Sequence, residues 1–436
     1  MAGAALLGTA GCGGDSGESG TQNIVFSAAP DNTGTLQELI DRFNREREGE
    51  IQVEYQELSR ITGEYRRSVI SDFETGSLEV DVIGGDVIWA TEFADNGWIE
   101  DISRRFYTDY PQNGPDDFLG ALINSVAWRN RLWGVPWFSD AGLLYYRQDL
   151  LEESGFDAPP STWDGLKQIA RQVAEESGTR YGFVFQGAEY EGGVVNGLEY
   201  IWSAGGRALL TTSSQTSPSM SPAQPVELSP NVVEIDNPRA TEGLRLERSM
   251  IEDGISPQEV TGYRELQSQK AFFDGDAVFL RGWPNMYALA GGENGQVAAD
   301  QVGIAQIPVA VEGNQSYSCL GGANMYMNAN SQNKDAAWEF IKFMTAPEQQ
   351  EFRALEGSFL PTLEALYDDP KILNQVPVVE LARDIIGNNL RARPSSPDYP
   401  QISPRMAVRF NDCLSGDLSP EETVAVLQQE MEKLLA

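Results

Sequence analysis

Histidine, the side chain that most often serves as a general acid or base, is missing from this sequence of 436 residues. It contains no His, which excludes Ser-His-Asp and Cys-His nucleophile pairs as well as His-ligated zinc. It has no Gly-x-Ser-x-Gly motif, no Walker motif and no EF-hand spacing. A calcium site made only of oxygen ligands remains an alternative. Two carboxylates could hydrolyse a glycosidic bond, but among 65 Asp and Glu residues such a pair arises from composition alone. We therefore expect no catalytic residue, no metal and no cofactor.

Aromatic side chains recur beside polar ones, a combination that suits the binding of an uncharged sugar. Such a ligand offers apolar C–H faces to flat rings and a rim of hydroxyl groups to Asp, Glu, Asn or Arg. Three segments, expected to be loops at strand or helix ends, carry this combination: Trp137, Phe138 and Asp140; Trp283, Asn285 and Tyr287; Arg391 and Arg393 near Tyr399. Core packing is the better explanation for any one aromatic taken alone, so the hypothesis depends on their recurrence.

The elements that would position these groups follow an α/β pattern. Apolar runs predict strands over residues 24–26, 51–55 and 80–83, the last broken by Gly84-Gly85. Thr35 is expected to cap a helix, with Glu38 completing a capping box. Alternating strands and helices indicate a largely parallel sheet, and ligands bind at the carboxyl ends of such strands. Asp86, just past the third strand, is therefore expected to face a cleft.

Length and charge narrow the class of protein further. A chain of 436 residues is long enough for two lobes or domains. It carries 31 Lys and Arg against 65 Asp and Glu, a net charge of −34, which disfavours nucleic acid because phosphate binding needs a basic footprint. The stretch from Thr211 to Pro230, rich in Ser, Pro and Gln, is expected to be a surface insertion.

The first residues indicate export. A short apolar run ends in small residues around Cys12, which resembles a bacterial lipoprotein signal whose Cys is acylated. Residues 1–22 would then be a signal remnant and a tether, and the acyl chains would hold the protein at the membrane. Thr9, and the lack of a basic residue before the run, leave an ordinary flexible N-terminus as the alternative. No later apolar run is long enough to span a bilayer.

Export would permit a disulfide, and Cys319 and Cys413 are the remaining pair. We expect them to be bonded, which would stabilise the fold by up to ~4–5 kcal/mol on the chain-entropy estimate. Two buried thiols are the alternative.

Segments spread over nearly the whole mature chain match one family. They are Asp81–Val87 with Asn96–Glu100, Asp140–Leu151, Tyr190–Gly192, Glu199–Gly206, Arg281–Pro284, Cys319–Asn324, Ala337–Met344, Leu360–Thr362 and Arg393–Ser403. Their order and spacing resemble the family-1 extracellular solute-binding proteins of sugar ABC transporters, nearest to the trehalose- and maltose-binding branch.

The resemblance implies an α/β fold of two lobes, the type II periplasmic-binding-protein fold seen in maltose-binding proteins, which closes on its ligand about hinges. Three crossovers are expected near residues 143–146, 317–322 and 360–366. Lobe one would comprise residues 23–142 plus 323–362, and lobe two residues 143–322 plus 363–436.

The resemblance also assigns roles to individual residues. Asp86 and Asp140 would accept hydrogen bonds from sugar hydroxyls, Trp283 would stack on a glucose ring, and Arg393 would donate from the second lobe. Backbone groups near the hinge and looser matches in the first lobe complete the set: Gly321, Gly322, Asp31, Asn32, Thr62 and Arg67. Relatives often have an aromatic residue where Ala323 stands, so stacking on that side is not expected.

Each principal assignment has a structural alternative. Asp86 could cap the following helix, Trp283 could belong to the core, and Arg393 could form a surface salt bridge of little energetic consequence.

The function implied is capture of an α-linked glucose disaccharide, trehalose or maltose, by a lipid-anchored monomer outside the cytoplasmic membrane, and its delivery to an ABC permease. The alternatives are a lipid-anchored glycoside hydrolase and a sugar sensor of the same fold without a transport role.

Overall fold

The computed structural model describes residues 20–76, 79–110, 114–210, 232–292, 296–394 and 396–435. Cys12 and the expected insertion over residues 211–230 lie outside the described residues. The predictions made for them therefore stay predictions.

Strands and helices alternate along most of the chain. The strands are β1 (Gln22–Ala28), β2 (Ile51–Glu57), β3 (Val82–Asp86), β4 (Ala127–Trp128), β5 (Arg131–Leu132), β6 (Val135–Ala141), β7 (Leu143–Arg147), β8 (Tyr181–Val184), β9 (Leu209–Leu210), β10 (Val232–Val233), β11 (Ala277–Gly282), β12 (Val302–Ala305), β13 (Ser318–Met327) and β14 (Leu390–Arg391). The helices are α1 (Thr35–Glu46), α2 (Thr62–Glu74), α3 (Ala90–Asp95), α4 (Ser103–Thr108), α5 (Gly120–Val126), α6 (Gln148–Glu153), α7 (Trp163–Ser177), α8 (Glu191–Ser203), α9 (Pro238–Glu252), α10 (Glu265–Phe273), α11 (Lys334–Thr345), α12 (Pro347–Gly357), α13 (Pro370–Gln375), α14 (Pro377–Asn388), α15 (Tyr399–Ser415) and α16 (Pro420–Leu435).

The first sheet has the strand order β14-β13-β3-β1-β2, and β6 also pairs with β13. β1 runs parallel to both β2 and β3, as the α/β pattern predicts. The long strand β13 runs antiparallel to β3 and β6 and parallel to β14, so that it joins segments distant in sequence. The carboxyl ends of β1 and β3 therefore meet at one edge, next to β6 and β13.

Gly84 and Gly85 do not break the third strand, contrary to the sequence-based expectation. They lie within β3 and pair with Met325 and Asn324 of β13. A Cβ at Gly84 would come within 2.8 Å of the Trp137 ring. Glycine is thus required here by close packing of indole rings against the strand rather than by a turn.

α1 begins at Thr35, so the helix is found where expected, but Thr35 is its first residue and not its cap. Its apolar stripe is buried as expected: Leu36, Leu39, Ile40 and Phe43. Gly34 occupies the N-cap position with φ of 78° and no side-chain cap. The Asp31 carboxylate instead accepts hydrogen bonds from the backbone N–H groups of Thr33, Gly34 and Leu36 at 2.8–3.0 Å. The predicted capping box is therefore wrong, because a more distant acid reaches the free N–H groups first.

The second sheet has the order β12-β7-β11-β8. β7 follows β6 with only Gly142 between them, so the chain changes sheets at this residue. A Cβ on Gly142 would lie 2.1 Å from Oε1 of Glu199, which leaves no room for a side chain at the change of sheet.

Helices complete the two halves of the molecule. α15 and α16 pack against α8 and α9 beside the second sheet. α14 contacts strands of both sheets, β6 and β12, so the lobe boundary expected near residue 363 stays a prediction.

Cys319 and Cys413 are both free and buried, so the predicted disulfide is wrong. Cys319 lies on β13, where its thiol donates to the Leu320 carbonyl at 3.6 Å. Cys413 lies on α15, beside the hydroxyl of Thr423. Both thiols lie in the same apolar cluster and are not bonded to each other. Burial raises the pKa of each thiol to about 12.

Within the described ranges, no helix is both long and apolar enough to cross a membrane. The same part of the chain contains no group of three or more His, Cys, Asp or Glu side chains placed to hold a metal ion.

Candidate ligand-binding cleft

A cavity of about 290 Å³ opens between the two sheets, where the carboxyl ends of β1 and β3 meet β6 and β13. This is the place that the α/β pattern predicts for a ligand. Its walls include side chains from both halves of the molecule: Asp31, Asn32, Thr62, Asp86, Trp137, Asp140, Tyr190, Glu191, Trp283, Arg353 and Arg393.

Asp86 ends β3 and faces the cavity, as predicted. Its Oδ1 accepts a hydrogen bond from the backbone N–H of Ile88 at 3.1 Å and one from Nη2 of Arg393 at 2.9 Å. Burial raises the pKa of Asp86, the positive charge of Arg393 opposes that rise, and Glu191 adds to it. The carboxylate thus binds the backbone N–H two residues on while also pairing across the cleft, and it does not cap α3, whose N-cap is Trp89 with no side-chain cap.

Arg393 is buried, with 3% of its side chain exposed, and it joins the two halves of the molecule. Its Nη1 donates to Glu191 Oε1 at 2.8 Å, while Nη2 donates to Asp86. Glu191, the first residue of α8, also accepts hydrogen bonds from the hydroxyl groups of Tyr399 and Ser403. Arg393 is therefore part of a buried network, and not the surface salt bridge that the sequence left open.

Asp140 lies in β6, so the segment from Trp137 to Asp140 is a strand and the expected loop is wrong. Its Oδ1 is buried and has no hydrogen-bond partner in the part of the chain that the structure describes. Burial raises the pKa of Asp140 to about 7, partly offset by the charges of Arg353 and Arg281. A hydroxyl donor from a ligand would satisfy this acceptor and favour its ionised form.

Trp283 follows β11 and is half-buried at the cavity wall, so it is neither fully core nor fully exposed. The guanidinium of Arg281 lies 3.9 Å from the centre of its ring. Arg281 is fixed in turn by two hydrogen bonds of 2.9 Å to Glu199. A Cβ on Gly321 would lie 3.1 Å from the indole, so the glycine lets β13 approach this ring. The ring is a rigid apolar surface of the kind that stacks on a sugar.

Gly322 adopts φ of +111°, and a Cβ there would lie 2.3 Å from the Phe138 carbonyl oxygen. Its carbonyl accepts from the backbone N–H of Val87 at 3.3 Å. The predicted role of the glycine pair in offering backbone groups to a ligand stays a prediction.

The looser first-lobe candidates divide between two places. Asp31 and Asn32 line the cavity, but Asp31 caps α1 and Asn32 accepts a hydrogen bond from Arg60. Thr62 lines the same cavity, whereas Arg67 lies in an adjoining cavity of about 340 Å³. The two cavities share wall residues: Thr62, Trp89, Tyr190 and Glu191.

Arg353, Tyr190 and Glu191 are cavity residues that the sequence reasoning did not assign. Tyr190 and Glu191 fall in a matched family segment, which was the available signal for them. Arg353 lies in the middle of α12, where a polar residue in a helical pattern is expected to face solvent. Its burial depends on the packing of α12 against the aromatic residues of β6. The spacing of residues within α12 alone does not predict this contact.

Comparison with known proteins agrees with this geometry. Residues 29–351 match the family model of the bacterial extracellular solute-binding proteins. A probable ABC transporter-binding protein of Deinococcus radiodurans is 29% identical over 363 residues, which covers 82% of this chain and 80% of the relative. The maltotriose-binding protein of Pyrococcus abyssi is 24% identical over 295 residues, 67% of this chain and 56% of that protein.

Among solved structures, maltose-bound MalE3 of T. maritima is similar to this chain with a TM-score of 0.84 and 30% identity. The similarity covers 95% of this chain and 100% of that one. The chain therefore belongs to the bacterial extracellular solute-binding proteins and has the two-lobe α/β fold of maltose-binding-protein-like structures.

Proposed function

We propose that this protein captures an uncharged α-linked glucose disaccharide, trehalose or maltose, outside the cytoplasmic membrane and delivers it to an ABC permease. The two lobes would close on the sugar about their hinges. Acylation of Cys12 would hold the protein, as a monomer, at the membrane.

The observation that carries the proposal is a set of buried polar atoms around the cavity that have no hydrogen-bond partner among the described residues. They are Asp140 Oδ1, Trp137 Nε1, Arg353 Nε and Nη1, and Arg393 Nε. Leaving such a group unpaired costs about 1–3 kcal/mol. A sugar hydroxyl both donates and accepts, so a polyol can satisfy acceptors and donors that lie side by side.

The remaining walls favour a neutral, partly apolar ligand. Trp283 offers an indole surface to the C–H face of a pyranose ring, and the guanidinium of Arg281 over the ring restricts its movement. Acidic side chains outnumber arginines around the cavity, which disfavours an anion. The maltose-bound and maltotriose-binding relatives support an α-glucoside, and the ABC transporter-binding relative supports delivery to a permease.

Isothermal titration calorimetry of the full chain against trehalose, maltose, sucrose and maltotriose tests the proposal. We expect micromolar binding of trehalose or maltose and a loss of at least tenfold in Trp283→Ala, because the stacking surface is removed. Trp98→Ala is the matched control, since Trp98 is also half-buried but lies outside the cavity walls. Absence of heat from every disaccharide would refute the substrate class.

The hydrolase alternative is tested in the same samples by assaying released reducing sugar. Such an enzyme would draw its two carboxyl groups from the acidic residues of the cavity wall, which include Asp86, Asp140 and Glu191. We expect the disaccharides to be recovered intact.

A further inference from the structure

Arg353 is the least expected side chain at the cavity. It projects from α12, and only 3% of it is exposed. Three aromatic rings surround its guanidinium, with centres at 4.4 Å for Trp137, 4.8 Å for Phe138 and 3.9 Å for Phe359. Cation–π contacts in such a box fix the orientation of the group without using its N–H donors.

Those donors are largely unused. Among the ion pairs of the described residues, Arg353 has one partner, Asp31, with Nη2 and Oδ2 separated by 3.7 Å. Nε and Nη1 are buried and have no hydrogen-bond partner within the described ranges, so both donors are unused there. Burial lowers the pKa of Arg353 to about 10, so the group keeps its charge at pH 7. A charged group with orphaned donors is expensive to bury unless something else completes its hydrogen bonds.

The complementary group, a hydrogen-bond acceptor without a partner, lies on β6. Asp140 Oδ1 is a buried acceptor without a partner, and its side chain lines the same cavity as Arg353. The two groups act on each other electrostatically but are not within ion-pair distance. Two residues of one cavity wall thus carry unsatisfied donors and an unsatisfied acceptor, and no ion pair or hydrogen bond between them is found among the described residues.

We infer that Arg353 is a ligand-binding residue that pairs with Asp140 to recognise two adjacent hydroxyl groups. One hydroxyl oxygen accepts from Nε or Nη1 of Arg353, and its neighbour donates to Oδ1 of Asp140. The inference rests on the proposed function and deepens it, because it names a vicinal diol as the element of the sugar that is recognised. Asp31 is then a positioning residue, which holds Arg353 while it caps α1.

This arrangement makes the site selective against deoxy sugars. Removing either hydroxyl leaves a buried charged group unpaired, and sites that hydrogen-bond a hydroxyl reject analogues lacking it far more strongly than apolar pockets reject a missing methylene. A purely structural Arg353, present only to balance Asp31, would affect all ligands equally.

The test is calorimetry of wild type, Arg353→Met and Arg353→Lys against trehalose, maltose, maltotriose, mannitol and the monodeoxy trehaloses. We expect Arg353→Met to raise Kd by about ten- to a hundredfold for the intact sugar, the range for losing a charged hydrogen bond. For the monodeoxy analogue lacking the hydroxyl that Arg353 binds, wild type and variant should differ less than about threefold. Arg42→Met is the matched control, because Arg42 lies 4.0 Å over the Phe352 ring of α12 but outside the cavity.

The outcomes separate the two claims. Equal affinities of wild type and Arg353→Met, or a loss of the same size for every analogue, overturn the role of Arg353 while leaving the disaccharide proposal standing. Binding of mannitol alone, with the same dependence on Arg353, refutes the disaccharide and supports the diol contact. Absence of binding by every polyol refutes both.

A crystal structure of the wild-type complex tests the contact without relying on the folding of a variant. A ligand oxygen within about 3.2 Å of Arg353 Nε or Nη1 supports the inference. A bound sugar that makes no contact with either atom overturns it.

Discussion

Arg393 Nη2 donates to Asp86 Oδ1 at 2.9 Å, and this bond ties the carboxyl end of β3 to the segment that follows β14. The second arm of the same guanidinium reaches Glu191 at the start of α8, so one cation neutralises acids from both sides of the cleft. Arg393 must therefore occupy this position whenever Asp86 and Glu191 lie close together, because its positive charge neutralises both carboxylates.

We predict that Arg393→Met lowers the free energy of unfolding by roughly 3 kcal/mol, because Asp86 and Glu191 are left as buried, uncompensated charges. Urea denaturation at pH 7 measures this. Arg383→Met is the control, since the Arg383–Asp368 pair is about half exposed and should contribute well under 1 kcal/mol. Equal, small effects from both variants would mean that the bridge is dispensable.

The affinity for a sugar should depend on pH through Asp140. Its pKa is raised to about 7 by burial, and hydroxyl donors bind its ionised form more tightly. Affinity should therefore weaken as pH falls below about 7, approaching tenfold per pH unit. Calorimetry between pH 5.5 and 8.5 measures it, and Asp140→Asn should bind weakly with no such slope. A wild-type curve that stays flat would show that no hydroxyl donates to this carboxylate.

The sequence allowed the secondary structure and the place of the cleft to be predicted. The parallel strands β1, β2 and β3 and the stripe of α1 follow from apolar periodicity, and the strand end at Asp86 follows from the α/β pattern. Asp86, Asp140, Trp283 and Arg393 do line one cavity, as their family segments implied. Their contacts with a sugar remain predictions.

Long-range packing accounts for what the sequence did not reveal. From the sequence, Gly84 and Gly85 are interpreted as a strand break. Glycine pairs occur both at turns and where a strand must leave room for an indole ring, and the sequence alone does not distinguish these two roles. The burial of Arg353 needs α12 to meet β6, two elements more than 200 residues apart. The disulfide was expected from elimination, yet the separation of two cysteines in sequence says nothing of the distance between their sulfur atoms.

Glu247 on α9 is buried and forms no ion pair with any described residue, and burial together with the nearby charge of Glu199 raises its pKa to about 8. The folded protein therefore binds this proton more tightly than the unfolded chain, whose glutamate titrates near 4.5. The stabilising contribution is complete below that value and is lost as pH rises towards 8. Glu247→Gln should be more stable than wild type by roughly 1–3 kcal/mol at pH 8 and no more stable at pH 4.5. Thermal unfolding at both pH values measures this, and a variant destabilised at pH 8 would contradict it.

Gly322 should not tolerate a side chain. Its φ of +111° disfavours any other residue, and a Cβ would overlap the Phe138 carbonyl oxygen at 2.3 Å. We expect Gly322→Ala to lower the free energy of unfolding by about 3 kcal/mol in urea. Gly313→Ala is the matched control, because Gly313 has φ of +86° with nothing within 4 Å of a Cβ, so that only backbone strain of about 1 kcal/mol is added. Similar losses in both variants would mean that the overlap is relieved by movement of β6.

The two thiols give a direct check on the interior around α8. Because Cys319 and Cys413 are free, alkylation after unfolding without reductant should label both cysteine-containing peptides, and mass spectrometry reads each one separately. In the folded protein the same reagent should react slowly with both, since burial raises their pKa values to about 12 and leaves almost no thiolate. Reductant should not change the urea midpoint, because no covalent loop is opened. A peptide pair that remains linked until reduced would restore the disulfide and contradict the free thiols of this cluster.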